Sequence, residues 1–398
     1  MTACKNILIL SLCAFAVQGN LFASRLYREI AGTVDSDRNI VISPAALRNA
    51  LAAIFGATQG HTAAILKDAL QLEGSTLAEA LAALHIPKVS KAQSALMMRF
   101  ANRLFLPGEL DVLGSYEELI FRPLNMDVRI IDYSDSAIAE TTINTFLEQN
   151  TENKICKIMM PKSGEKANKL MLVSAAYFKA QSTHLYGKSF QMPFFYDTTK
   201  QIQVMGFKQK EIFRFGYLQN LRVSGVELPF KDTNLTMLIL LPNDYTANLT
   251  QIENELVNYD LRNISHKFNM QTVFVTLPIF KVDFDIQLQG VFENMGLGSL
   301  FDGSASFAGM TTGKGRSLQL SDVLHKGYIE FNENGVEVAA GDLATQKHRS
   351  FQSFNPAIYF TANHPFIFAI KDATRVYFMG RIVRPTVIDS VELQSMKS

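Results

Sequence analysis

One stretch, residues 321–355, restricts the possible folds of this chain more than any other part of the sequence. It opens with SDVLHKGYIEFNE, in which Ile329 and Phe331 alternate with polar neighbours, as in a β-strand with one buried face. Gly335 then permits a bend, and small side chains are followed by the polar run QKHRS, which no core would accept. Strand character returns only at Ile358. Long connections of this kind are uncommon in compact domains and usually functional, so we expect a strand that leads into an exposed functional loop.

The composition favours one large domain without an enzyme site. The chain has 398 residues, of which 47% are hydrophobic, and no Pro/Gly/Ser-rich linker, composition break or internal repeat divides it. A net charge of +1 gives no reason to expect binding to nucleic acid or to a membrane surface. The histidines lack metal-ligand spacing, and neither H-E-x-x-H nor G-x-S-x-G occurs. We therefore expect no catalytic residues, no metal and no cofactor.

The N-terminal residues have the pattern of a secretory signal peptide. Lys5 precedes an apolar run at 7–17 that is too short to cross a bilayer, and small residues lie near a plausible cleavage site. The alternative is an N-terminal helix that stays attached. We expect a signal peptide at 1–19, one domain at 20–385 and a C-terminal tail at 386–398, in a secreted, extracellular protein.

The predicted secretion determines how the cysteines and the glycosylation motifs are interpreted. Cys156 is the one cysteine outside the predicted signal, so no disulfide framework is expected, and we interpret this residue as a buried small hydrophobe. Sequons begin at Asn234, Asn248 and Asn263, which makes all three glycosylation candidates. Asn234 starts a very apolar strand, so the other two are the better candidates.

Several motifs resemble those of the serpins. The block at 39–62 resembles the pattern N-x-V-x-S-P…A-L…G-A-x-G-x-T, ANRLF at 101–105 resembles A-N-x-L-F, and LVSAAYFKA at 172–180 resembles L-V-N-A-x-Y-F-K-G. The pair His325-Lys326 and the bend ENG at 333–335 resemble the strand and hinge before the family's reactive-centre loop. The resemblance extends over roughly 21–385 and is that of a secreted, insect-like member.

The resemblance implies a fold and a buried cluster. The fold is α+β, with three β-sheets, about eight or nine helices and an exposed reactive-centre loop at about 335–356. Ser43, Ser174 and His325 correspond to the family's shutter cluster, where Ser174 replaces an asparagine. Considered without the resemblance, His325 is a hydrogen-bonded core histidine. Ser182 stands where the family has a tryptophan, and Ile279 where it often carries a lysine.

The resemblance also implies an inhibitory mechanism. A protease attacks the exposed bond and forms an acyl-enzyme, and the cut loop then enters the main sheet and distorts the protease. Counted from the hinge, the bond lies between Arg349 and Ser350, and Arg349 suits the carboxylate in the primary pocket of a trypsin-like serine protease. Lys347 is the alternative if the register slips, and an ordinary exposed charge is the alternative for Arg349. The expected inhibitor is a monomer.

The hinge departs from the usual inhibitory pattern. The positions that the resemblance assigns to it are Glu333, Gly335, Val336, Glu337, Val338, Ala339, Ala340 and Asp342. Val338 is bulkier than the usual alanine, and burial of an unpaired Asp342 costs several kcal/mol. At about 1 kcal/mol per hydrogen bond, a new central strand gains on the order of 10 kcal/mol, so Asp342 would slow insertion rather than prevent it. The alternative is a non-inhibitory serpin with a carrier, seminal, storage or protein-ligand role.

Overall fold

The structure is a computed structural model that describes residues 21–74, 76–86, 96–108, 110–160, 169–182, 189–312, 318–333 and 357–386. Eight α-helices occur in these ranges. They are α1 Leu21–Thr33, α2 Pro44–Ala57, α3 Gly60–Leu70, α4 Leu77–Ala82, α5 Gly114–Leu124, α6 Ser136–Asn150, α7 Leu249–Glu255 and α8 Gln289–Phe292.

The strands of the described ranges lie in two hydrogen-bonded sheets. Their bounds are β1 Ile40–Ile42, β2 Leu96–Pro107, β3 Asp127–Ile131, β4 Lys169–Ser182, β5 Phe190–Phe195, β6 Gln201–Leu218, β7 Val223–Pro229, β8 Thr236–Pro242, β9 Asn269–Pro278, β10 Phe280–Gln287, β11 Gln319–Glu333, β12 Ile358–Thr361, β13 Phe366–Lys371 and β14 Val376–Ile382. The mixture of helices and sheets confirms the predicted α+β class.

The main sheet has the strand order β10-β11-β4-β2-β3. Its central strands, β11 and β4, are parallel and paired from Gln319 opposite Lys169 to Glu333 opposite Ser182, with one irregularity near the start. The neighbouring pairs, β10 with β11 and β2 with β4, are antiparallel. The parallel pairing at the centre, here called the seam, therefore runs the full length of the sheet's two longest strands.

Each face of the main sheet is buried against a different core. His325 and Ile329 of β11 point to the inner face, which packs on the larger core, while Tyr328 points to the outer face. A smaller core fills the space between that outer face and α6, which contributes Ile143 and Phe146. The alternation of β11 thus serves two apolar layers, since both faces of this strand are covered.

The larger sheet has the order β1-β14-β13-β8-β7-β6-β9-β12, and β5 also pairs with β6. Residues 201–206 of β6 pair with β5, residues 206–215 with β9 and residues 214–218 with β7. Because β6 passes through both parts, the second and third sheets implied by the resemblance form one continuous hydrogen-bonded array. The short strand β12 lies at one edge of this array and pairs with β9.

A buried ion pair joins distant parts of the domain. Arg381 Nη1 lies 3.0 Å from each carboxylate oxygen of Glu253, and the Tyr27 hydroxyl donates to Glu253 Oε1 at 2.7 Å. The Arg381 guanidinium also donates to the carbonyl oxygens of Val34 and Asp35. Burial, together with the neighbouring Glu253 carboxylate, raises the pKa of Tyr27 well above its usual value.

Cys156 is exposed, so the prediction of a buried side chain is wrong. Its Sγ lies 3.3 Å from the carbonyl oxygen of Asn153, in the segment that follows α6. Glu152 and Asn153 adopt left-handed φ values of 55° and 58°, and the chain turns at the surface there. The predicted signal peptide and, beyond Thr386, the predicted tail lie outside the described residues. No helix in the described ranges is both long and apolar enough to cross a membrane.

Candidate functional site

The chain leaves the seam at the end of β11 and next appears as β12 in the other sheet. The intervening residues, 334–356, lie outside the described ranges, and they include the predicted scissile residues Arg349 and Ser350. The hinge positions from Gly335 to Asp342 also lie there, whereas Glu333 ends β11 opposite Ser182. The predicted loop is therefore anchored in a central strand of one sheet and in an edge strand of another.

Side-chain contacts hold the seam together on both of its faces. On the outer face, the Tyr177 and Tyr328 rings stack with centroids 5.2 Å apart, and Lys179 Nζ lies 3.1 Å from Glu330 Oε1. On the inner face, His325 contacts Ser174, its partner in the strand register. The two outer pairs are also register partners. Separation of β4 from β11 would break these contacts along with the backbone ladder.

The three predicted shutter residues lie together beneath the seam. His325 Nε2 accepts a hydrogen bond from the Ser43 backbone N–H at 3.0 Å, so the ring proton belongs on Nδ1, which lies 3.1 Å from Ser174 Oγ. Ser43 Oγ accepts from the Ala46 N–H at 3.1 Å, which caps α2. The same hydroxyl donates to the Tyr377 carbonyl oxygen of β14 at 2.7 Å. One serine thus links α2, the main sheet and the larger sheet.

Burial fixes the charge of this cluster. Ser43, Ser174 and His325 are completely inaccessible to solvent. Burial lowers the pKa of His325 to about 3, because a charged imidazole would lose its hydration there. The histidine is therefore neutral near pH 7, in the tautomer that both of its hydrogen bonds require.

The backbone of β11 approaches the larger sheet closely next to this histidine. A Cβ on Gly327 would collide with the carbonyl oxygen of Val41 in β1. A Cβ on Gly380 of β14 would collide in the same way with the carbonyl oxygen of Ile40. Glycine is thus required at both positions by space rather than by backbone dihedral angles.

The three sequon asparagines lie at the surface, whereas Ile279 is buried. Asn234, Asn248 and Asn263 are all exposed, and Asn248 caps α7 by accepting from the Thr250 N–H at 2.9 Å. Ile279 is buried between β9 and β10. In the described ranges, no group of three or more His, Cys, Asp or Glu side chains is arranged to hold a metal ion.

Comparison with known proteins decides the family. A family model described as Serpin (serine protease inhibitor) matches residues 18–385. The chain belongs to the serpin family. It is 28% identical over 356 residues to "Serine protease inhibitor 42Dd" of Drosophila melanogaster, an alignment that covers 88% of this chain and 92% of the relative. It is 31% identical over 357 residues to "Leukocyte elastase inhibitor" of Bos taurus, with 87% and 93% covered.

The solved serpin structures confirm the predicted serpin fold. The structure of Serpin48, from the insect Tenebrio molitor, superposes with a TM-score of 0.79 at 23% identity. The match covers 94% of this chain and 98% of the Tenebrio chain. The family membership also makes this chain a member of a group of serine protease inhibitors, not of proteases.

Sequence reasoning found part of this serpin's seam and missed the rest. It identified Ser43, Ser174 and His325 through the resemblance, and the structure brings these side chains together. It did not identify the Tyr177–Tyr328 stack or the Lys179–Glu330 pair. The alternation of β11 and β4 signals that these side chains lie on one face, but only the strand register shows that they are opposite one another.

Proposed function

We propose that this serpin is a secreted suicide-substrate inhibitor of a trypsin-like serine protease, with Arg349-Ser350 as the scissile bond. The observation that carries the proposal is the long parallel pairing of β4 with β11, regular from Asp322 to Glu333, together with the arginine-containing segment that follows β11 directly. Two parallel strands can receive a third strand between them if it runs antiparallel to both. A chain that reverses direction after β11 has that orientation.

The length of the segment fits this role. Cleavage after Arg349 leaves residues 334–349 attached to β11, which is itself 15 residues long. An inserted strand exchanges one parallel interface for two antiparallel ones, and antiparallel pairing is slightly more stable per residue. At about 1 kcal/mol per net hydrogen bond, insertion gains on the order of 10 kcal/mol. The seam contacts and the core beneath α6 oppose that gain until cleavage releases the loop.

The test is covalent complex formation with trypsin and with an elastase. We expect a complex with trypsin that survives boiling in detergent, and no such complex with elastase. Arg349→Ala should abolish the trypsin complex, while the matched Lys347→Ala variant should retain it. Loss of the complex in Lys347→Ala alone would move the scissile bond to that position. Complete cleavage without any complex would reject trapping.

A non-inhibitory role is the second candidate, and the hinge favours it. Val338 and Asp342 occupy positions where the resemblance expects small and hydroxyl side chains, and slow insertion would give the protease time to hydrolyse the acyl bond. Melting temperature before and after loop cleavage distinguishes the two cases. A large rise means that the loop still inserts, whereas an unchanged value supports the non-inhibitory role. Asp342→Thr combined with Val338→Ala should increase trapping if the hinge limits insertion.

Secretion and glycosylation are proposed on the sequence together with the exposure of the sequons. We expect a product that begins near Asn20 when the chain is expressed in a secreting cell, with glycans at Asn248 and Asn263. Asn234 is also exposed, so its position does not prevent modification. Mass spectrometry of the secreted protein, before and after enzymatic removal of N-glycans, measures both features. A full-length product retained in the cell would contradict secretion.

A further inference from the structure

A groove on the larger sheet lies outside the seam. It has a volume of about 500 Å³ and is bordered by β5, β6, β9 and β12. The strand register places Lys210, Phe274 and Tyr359 in one row across three strands, and Lys208, Thr276 and Thr361 in the next row. This volume is typical of pockets that bury a small organic molecule.

Three aromatic side chains line the groove, and one of them, Tyr359, is exposed. The Phe274 and Tyr359 rings stack with centroids 5.0 Å apart and planes 17° from parallel. Tyr359 is 74% exposed, the highest value among the exposed large hydrophobic side chains of the described ranges. The Phe190 ring lies at the β5 side of the groove. The exposed Tyr359 ring favours contact with another flat apolar group, because stacking removes one face of each ring from water.

Two lysines supply positive charge in the same groove. Lys208 Nζ lies 4.7 Å from the centroid of Phe190, and Lys210 Nζ lies 4.8 Å from the centroid of Phe274. Within the described part of the chain, neither ammonium lies within 4.0 Å of a carboxylate. A ring face attracts an ammonium only modestly and leaves its N–H donors available to an anion.

We propose that this groove binds an amphipathic organic anion, in which a flat aromatic system carries a carboxylate or sulfonate. The aromatic system packs against the exposed Tyr359 ring and the free edge of the Phe274 ring, and the anionic group accepts hydrogen bonds from Lys208 and Lys210. The charge complementarity sets the ligand class. A neutral aromatic molecule would leave both ammonium groups without an anion, and inorganic phosphate would leave the aromatic surface uncovered. This site is independent of the proposed protease inhibition.

The experiment uses the complete protein and a pair of matched dyes. Fluorescence titration with 8-anilinonaphthalene-1-sulfonate should show one saturable site per chain, and N-phenyl-1-naphthylamine, which lacks the sulfonate, should bind at least tenfold more weakly. The double variant Lys208→Gln/Lys210→Gln should weaken sulfonate binding at least tenfold and leave binding of the neutral dye unchanged. Tyr359→Ala should weaken both. Calorimetry with naphthalene-2-carboxylate should give the same order of affinities.

Lys267→Gln is the matched control. Lys267 also places its ammonium over a ring, that of Tyr259 at 5.9 Å, but it lies outside the groove. Its replacement should leave the affinity for the sulfonate dye unchanged. If Tyr359→Ala alters the melting temperature, the lysine double variant alone decides. Equal affinity for both dyes, an unaffected double variant, or binding without saturation would overturn the proposal.

Discussion

The buried His325 makes the stability of this serpin depend on pH. Its pKa is depressed from the usual 6.5 to about 3 in the folded chain, because burial disfavours the charged ring. As the pH falls below 6.5, the unfolded chain binds a proton that the folded chain does not bind. The contribution of the neutral His325 to the free energy of unfolding is therefore fully present above pH 6.5 and is lost progressively as the pH falls towards 3. Linkage gives a decrease in the free energy of unfolding of about 2 kcal/mol between pH 7.5 and pH 5, and about 3 kcal/mol by pH 4.

The assay is urea-induced unfolding at pH 7.5 and pH 5, for the wild-type chain and for His325→Gln. A glutamine amide can accept from the Ser43 N–H and donate to Ser174, but it does not titrate. We expect the wild-type chain to lose about 2 kcal/mol more than the variant over this pH interval. His61→Gln, which changes an exposed histidine, should behave as the wild type does. Equal pH dependence in the wild type and His325→Gln would refute the assignment of the effect to this histidine.

Further predictions concern the close approaches and charge pairs of the structure. Gly327→Ala should destabilise the chain severely or prevent folding, because its Cβ meets the Val41 carbonyl, whereas Gly32→Ala in open space should change the melting temperature little. Glu253→Gln should lower the free energy of unfolding by about 3–5 kcal/mol, measured with urea, since it leaves the Arg381 charge buried without its carboxylate. Glu330→Gln should weaken the seam by about 1 kcal/mol and therefore speed loop insertion about fivefold. The insertion rate is measured by how soon after cleavage the melting temperature rises, and an unchanged rate would show that the pair does not limit opening.

The architecture was predictable because motifs along the whole chain resemble those of the serpins, and local patterns independently indicate several of its elements. The alternation around Ile329 and Phe331 predicts a strand with a buried face, and the structure places that strand in the centre of the main sheet. The Ser43-Pro44 pair similarly marks the beginning of a helix, where the serine hydroxyl caps the first turn. Such signals depend only on neighbouring residues, so they can be recognised without knowledge of the tertiary contacts.

Long-range partners were not predictable in the same way. Glu253 and Arg381 are 128 positions apart, and no spacing rule connects a helix in the middle of the chain with its last strand. The Tyr377 carbonyl oxygen, which accepts a hydrogen bond from the Ser43 hydroxyl, is a backbone group, so its role does not depend on the residue type and cannot be predicted from it. The prediction that Cys156 is buried was wrong for a related reason. Its thiol is apolar enough for a core, but the turn at 152–153 places it at the surface.

The position of α6 offers a way to detect the entry of a strand into the main sheet. The helix covers the outer face of the main sheet through Ile143 and Phe146, so any strand that enters beneath it must displace it. Cys156, the only cysteine in the described ranges, is accessible six residues after the helix ends. A maleimide fluorophore attached to that thiol would report the displacement in real time, without any engineered labelling position.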